Sequence, residues 1–276
     1  MKSKIYIIFN LIAFLSISSF SANQNFQDSV NIIFNKVLET ENINEKLAIN
    51  DSLINLITSE LNKGSSIKSV YDSIENIGVL HSHDNSITIF NWYLQLAIGI
   101  YEYFGIVQLY NPKLDSIFIY ILKDKSDEIT DHEKYFGNDT SWYGALYYEL
   151  IEKEIDNKKY YTLLGFDYNS TISRKKIIEV MYFENDTLKL GYPLFKSEAK
   201  VANRIIFEYS SKAVMTLNYD DKTNQIIFDH LSPSKLTLTG HYEFYGPDFS
   251  YDAFKFINDS WIYFPAIDVK NTKQKR

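Results

Sequence analysis

Cysteine is absent from all 276 residues. That absence excludes disulfides, thiol nucleophiles and every thiolate metal site. Glycine and proline are scarce, at 10 and 5 residues, which excludes collagen-like and linker-rich designs. Basic charge is in deficit: 28 Lys and Arg against 35 Asp and Glu leave a formal net charge of −7. An acidic surface of this kind argues against nucleic acid and anionic membrane as partners. Basic residues cluster only at Lys270, Lys273, Lys275 and Arg276, which read as a solvated end, with 272–276 as a basic tail. Reaction signatures are missing too. No serine lies in Gly-x-Ser-x-Gly, and no Ser-x-x-Lys carries the companion motifs of its class. Neither His-Glu-x-x-His nor a phosphate-cradling glycine loop occurs. No cofactor and no metal is implied.

Long apolar runs are equally rare. The single one, residues 5–15, is interrupted only by Asn10; it follows Lys2 and Lys4 and precedes the small residues Ser19, Ser21 and Ala22. This is the form of a secretory signal over residues 1–22. It is shorter than the roughly 20 apolar residues a membrane span needs, so no span is expected after cleavage. Without a cysteine near the cut, lipid anchoring is not expected. Removing residues 1–22 takes away two lysines and no acid, moving the net charge from −7 to −9. The expected location is the periplasm or cell envelope, or the exterior.

What is abundant is aromatic. The chain has 22 Tyr and 19 Phe within an apolar fraction of 45%, enough to bury a sizeable core and biased towards the half-buried surface of a sheet. Residues 26–63 read as helical: Phe26, Val30, Ile33, Phe34 and Val37 are spaced for one helix. Leu53, Ile54, Ile57 and Leu61 are spaced for a second over about 49–62. The helical segment is taken as 23–65 and a β domain as 66–271. Strand-like runs follow at 77–80, 86–93, 99–110, 116–122, 143–151, 160–168 and 174–183, separated by polar turns. Residues 123–141, with three basic and six acidic side chains, read as a solvated connector.

Residues 204–230 form the clearest meander. Ile205, Phe207 and Tyr209 alternate with Ile206, Glu208 and Ser210, and further strands carry Met215, Leu217, Tyr219 and residues 226–228. Residues 261–264 and 267–270 are expected to close the sheet. The predicted fold is mainly β, antiparallel meanders in a sandwich, barrel or small propeller-like arrangement, with two N-terminal α-helices.

Several stretches carry a resemblance. They are His83-Asp84-Asn85 before Ile87–Trp92, Trp142–Tyr148, Tyr161–Asp167, Arg204–Tyr209 and Phe228–Pro233. Together they resemble an uncharacterised family of exported β-rich proteins from Bacteroidota-type bacteria, over about residues 66–271. Where that family has Ser-Pro-Asp-Gly before the first tryptophan strand, this chain has Ser82-His83-Asp84-Asn85. The resemblance implies fold and export and brings no activity with it.

Four groups of residues are chemically suggestive. His81, His83 and Asp84 have metal-like composition, but a turn destroys the shared face that a strand would give them. Asp229 and His230 are adjacent, which on a strand sends them to opposite faces; Asp229 is expected to bond the backbone of Ser232 or Ser234 instead. Glu149, Glu152 and Glu154 lie close together, the last two at the frayed end of a strand. The most distinctive stretch is the loop 242–252. Tyr245, Asp248, Tyr251 and Asp252 are its candidate ligand-binding residues, supplying aromatic faces with oriented acceptors for a glycan, a peptide or an envelope protein. The competing reading makes Phe244, Phe249 and Tyr251 a plug at the end of the β core, with Asp248 and Asp252 capping turns. The function expected is non-catalytic binding through aromatic-rich loops. The alternative is a periplasmic hydrolase whose carboxylates meet only in the fold, where their separation would decide the chemistry.

Overall fold

A computed structural model describes residues 25–63 and 74–268. The signal-peptide and basic-tail readings lie outside the described residues. Two helices come first, α1 over residues 25–39 and α2 at Ile43–Leu61. Helix α2 begins earlier than the apolar stripe suggests because Asn42 caps it, its side chain accepting from Glu45 N at 3.0 Å.

Three sheets follow. The first contains β1 (Gly78–His81), β2 (Ile87–Ala97), β3 (Ile100–Asn111) and β4 (Ser116–Lys123) in sequence order. The second is built on β5 (Leu146–Ile155), β6 (Lys158–Asp167) and β7 (Ser173–Glu184). Its outer edge is shared: β8 (Thr187–Leu190) pairs with one end of β7, and a later strand, β11 (Arg204–Ser210), pairs with the other. The third sheet has the order β10-β9-β15-β14-β13-β12. Its members are β9 (Phe195–Lys196), β10 (Val201–Ala202), β12 (Leu217–Asp220), β13 (Gln225–Pro233), β14 (Tyr245–Ile257) and β15 (Ser260–Phe264). Neighbours are antiparallel apart from β15 beside β9. The sheets are open, with free edges, and do not close into a barrel.

The sheets stack face to face behind the helices, and the period-2 alternation of side chains assigns each face. In β2, Phe90, Trp92 and Leu94 join the cluster of Val30, Phe34, Leu53 and Ile57 from the helices. The alternate residues Ile87 and Ile89 meet Tyr161, Leu163 and Ile177 of the second sheet. The second sheet is covered on both sides in turn: Leu164, Ile178 and Val180 face Phe228, Phe254 and Trp261 of the third. Double coverage explains why β2, β6 and β7 read as nearly continuous apolar runs, a pattern more usual in parallel sheets.

Three tight hairpins show how so few glycines suffice. Asp156-Asn157, Asn185-Asp186 and Asn258-Asp259 all have positive φ and join β5–β6, β7–β8 and β14–β15. Asn and Asp are the side chains that tolerate this left-handed region best. All three tryptophans are fully buried, and each indole N–H donates: Trp92 to Asn50 Oδ1, Trp142 to the Tyr147 hydroxyl and Trp261 to Thr162 Oγ1.

Several sequence expectations are corrected. The stretch 242–252 is not one loop: after a short 3₁₀ turn at Tyr242–Phe244 it is the first half of the 13-residue β14. Residues 267 and 268 form no strand, although Ile267 N donates to Tyr251 O at 2.8 Å. Glu152 and Glu154 lie within β5, which runs on to Ile155. The segment 123–141 is more than a solvated connector. The backbone carbonyls of His132 and Glu133 accept from Arg204, and that of Lys134 accepts from the Asn203 side chain. It is therefore fastened to the edge of the second sheet.

Candidate functional site

The site with the most unusual local chemistry is a bulge between β13 and β14. Asp229 faces Tyr251, and the next paired residues are Leu231 and Pro247. His230 alone on β13 thus opposes Asp248, Phe249 and Ser250 on β14. The excess residues must leave the sheet plane, and bulges re-aim side chains in this way. Phe249 takes φ 72° and is 95% exposed. A bulky aromatic in the left-handed region costs on the order of 1–3 kcal/mol, and here no burial offsets it.

Behind the bulge sits Asp252, only 4% exposed. Its Oδ2 lies 2.8 Å from His230 Nδ1 and 2.8 Å from the Tyr263 hydroxyl, and its Oδ1 accepts from Ala266 N at 2.9 Å. The contact uses Nδ1, so Nε2 is turned away from Asp252. Burial, reinforced by the bond to Asp252, pushes the Tyr263 hydroxyl well above its ordinary value. The His230 side chain remains partly exposed. In front, Asp248 accepts from Ser250 Oγ and N and from Ser232 Oγ, at 2.6, 3.1 and 2.9 Å. The Ser250 bonds lead in bringing the Asp248 carboxyl down to about 2, with smaller contributions from Ser232 and the His230 charge.

Beside the bulge lies an open depression of about 340 Å³ that Phe244, Tyr245, Pro247, Asp248 and Ser232 help to line. It brings together Tyr245 and Asp248 of the four residues singled out from sequence. Tyr251 and Asp252 do not line it. Tyr251, 37% exposed, is one residue from Asp252 along β14 and on the opposite face of the strand. The plug reading fails for Phe249, which is 95% exposed, and Asp252 is a buried anchor rather than a turn cap. Asp229 bonds Thr216 N and Oγ1 at 2.6 and 2.8 Å, not Ser232 or Ser234. The partner of His230 could not have been found from sequence adjacency, because it lies 22 residues away.

A second polar convergence joins the first two sheets. The Tyr103 hydroxyl donates to buried Asp167 Oδ1 at 2.8 Å, and Lys175 Nζ donates to the Tyr143 hydroxyl at 3.1 Å while lying 3.9 Å from Asp167 Oδ2. Burial pushes the Asp167 carboxyl up, against the opposing pull of Lys175 and the Tyr103 bond. These residues border a cleft of about 290 Å³ that His132 also lines. Sequence reasoning missed it; the one available signal was Asp167 as the lone acid ending an apolar strand.

The remaining candidates resolve as structural contacts. His81 Nδ1 meets Thr88 Oγ1 at 3.2 Å, and Asp84 accepts from Ser82, Ser86 and Lys159. The His83 amide donates to Glu152, and Glu149 accepts from Tyr219 N. Among the described residues no three His, Asp or Glu side chains converge as metal ligands, and no helix is long and apolar enough to cross a membrane. Comparison with protein-family models, curated proteins and solved structures finds no match to this chain.

Proposed function

We propose that this is an exported, non-catalytic binding protein of the cell envelope that holds a glycan at the β13–β14 bulge. One observation carries the reading: a strained, almost fully exposed Phe249 beside a depression that combines aromatic faces with an ordered carboxylate. Apolar ring faces stack on the C–H faces of sugars, while Asp248 and Ser232 supply acceptors and a hydroxyl for the sugar's own hydroxyls. Asp248 already holds three hydrogen bonds, so its acceptor geometry is set before a ligand arrives, which lowers the ordering cost of binding. Export is supported by the charged start and short apolar run of residues 1–22.

An array of bacterial envelope oligosaccharides tests the binding site. The wild-type protein is expected to retain a subset that Asp248→Ala and Phe249→Gly lose while their circular dichroism is unchanged. Retention of nothing, or equal retention by both variants, refutes the reading. N-terminal sequencing of protein from the native host should begin near residues 21–24; a chain retaining Met1 would refute export.

A hydrolase draws support from a separate observation, the partly exposed His230 oriented by buried Asp252, an arrangement suited to a general base. Turnover of chromogenic glycosides or esters that disappears in His230→Asn would favour it over simple binding.

A further inference from the structure

Away from the bulge, a cavity of about 250 Å³ opens between the edge of the second sheet and the third. Its floor is Phe195, Phe228 and Phe254, all buried, and its walls include the partly exposed rings of Phe207 and Tyr263. Interiors of folded proteins are close-packed, so an aromatic-floored space that remains open to solvent is a feature to be explained. Its rim is different in character. Lys196, Ser197 and Lys200, from the β9–β10 hairpin, line it together with Glu133. Lys200 is ion-paired with Glu133. Lys196 is exposed and has no ion-pair partner among the described residues. The rim therefore presents one uncompensated positive charge at the mouth of an apolar chamber, in a chain whose net charge is −7.

We infer that this cavity binds an amphiphilic carboxylate, its apolar body on the phenylalanine floor and its anionic end at Lys196. Apolar lining with few polar groups at one end fixes both the class and the orientation of a ligand. A neutral ligand of the same body would gain nothing from the exposed Lys196 ammonium, and a cationic one would be repelled by it. Tyr263 connects the cavity to the bulge, its ring lining the chamber and its hydroxyl bonding Asp252. The inference stands apart from the glycan reading, because it uses a different opening and different residues.

Calorimetric titration of the full-length protein with octanoate, 4-phenylbutyrate and 1-octanol tests it. At least one of the two acids is expected to bind, about threefold more tightly than the alcohol, the scale of an ion pair made at a solvent-exposed lysine. The acid that binds more tightly identifies the body as acyl or aromatic. Lys196→Glu should weaken acid binding by at least about threefold and leave the alcohol unaffected. Lys196 is exposed, so the variant should fold; Lys212→Glu, which does not line the cavity, serves as the charge control. Ligand-induced NMR shifts should fall on Lys196, Phe207 and Tyr263. Failure of both acids to bind, equal affinity for acid and alcohol, an unchanged Lys196→Glu, or shifts confined elsewhere would each overturn the inference.

Discussion

Asp252 and His230 meet at 2.8 Å across a bulge in which one residue of β13 opposes three of β14. The carboxylate is buried and the imidazole partly exposed, so the pair is asymmetric: Asp252 belongs to the core's polar framework and His230 to the surface. Asp252→Ala would strand the Tyr263 hydroxyl and Ala266 N as well as His230. Losing these three hydrogen bonds, at about 1 kcal/mol each, should cost about 3 kcal/mol in urea unfolding. His230→Ala should cost less than about 1 kcal/mol, as for an exposed side chain. Equal costs would show that the His230 contact alone carries the contribution of Asp252, and that its bonds to Tyr263 and Ala266 add nothing.

Phe249 gives the opposite sign. Glycine at φ 72° carries no Cβ penalty, and relief of roughly 1–3 kcal/mol of strain outweighs the greater freedom of the unfolded glycine chain. Phe249→Gly is expected to raise stability by about 1 kcal/mol while abolishing glycan retention. A destabilised variant would mean that the ring makes contacts that offset its strain.

Asp248 sets a pH dependence. Its folded-state pKa of about 2 lies below the ordinary 3.8, so it contributes stability above the higher value and loses it as pH falls through the lower. The stability difference between wild type and Asp248→Ala should be constant near neutrality and shrink between pH 4 and 2. The carboxylate is solvent-exposed, so screening holds the amplitude below about 1 kcal/mol. Chemical denaturation at stepped pH reads it directly; a difference that grows on acidification contradicts the assignment.

Arg204 and Glu179 offer a test in the core. They are register partners on β11 and β7, with Nη2 and Oε2 2.5 Å apart and both side chains 0% exposed. Burial pushes the Glu179 carboxyl up, and the arginine charge opposes it. Glu179→Leu alone, leaving a buried guanidinium unpaired, should cost about 3–5 kcal/mol. The double variant Glu179→Leu with Arg204→Met should recover most of that loss, because two apolar side chains of similar volume avoid the desolvation penalty altogether. A double variant no more stable than the single one would assign the pair's importance to the His132 carbonyl that Arg204 also grips.

The mainly antiparallel β fold with two N-terminal helices was legible because its signals are local. Side-chain alternation and Asn/Asp turns mark β11–β13, and helical spacing of Phe26, Val30, Phe34 and Val37 marks α1. Strand β14 escaped detection because Gly246, Pro247 and Asp248 read as turn formers. Pro247 is tolerated there because β15 pairs β14 only from Ala253 onward, leaving that edge of the strand free of a ladder. The two-residue strands β9 and β10 exist only through their neighbours.

The sequence by itself determined what depends on residues near one another: the absence of thiol chemistry, the β-rich class, the helices, the turns, and the aromatic and acidic content of 242–252. Tertiary structure alone decided what depends on residues brought together from afar. It stacked the sheets so that β6 and β7 are covered twice, and it brought Asp252 to His230 from 22 residues away. It also drove Phe249 outward at a bulge whose register no local pattern encodes. The physical reason is range. Propensity and alternation act over a few residues, whereas burial, strand register and the pairing of a carboxylate with an imidazole are settled by whichever strands the core places side by side.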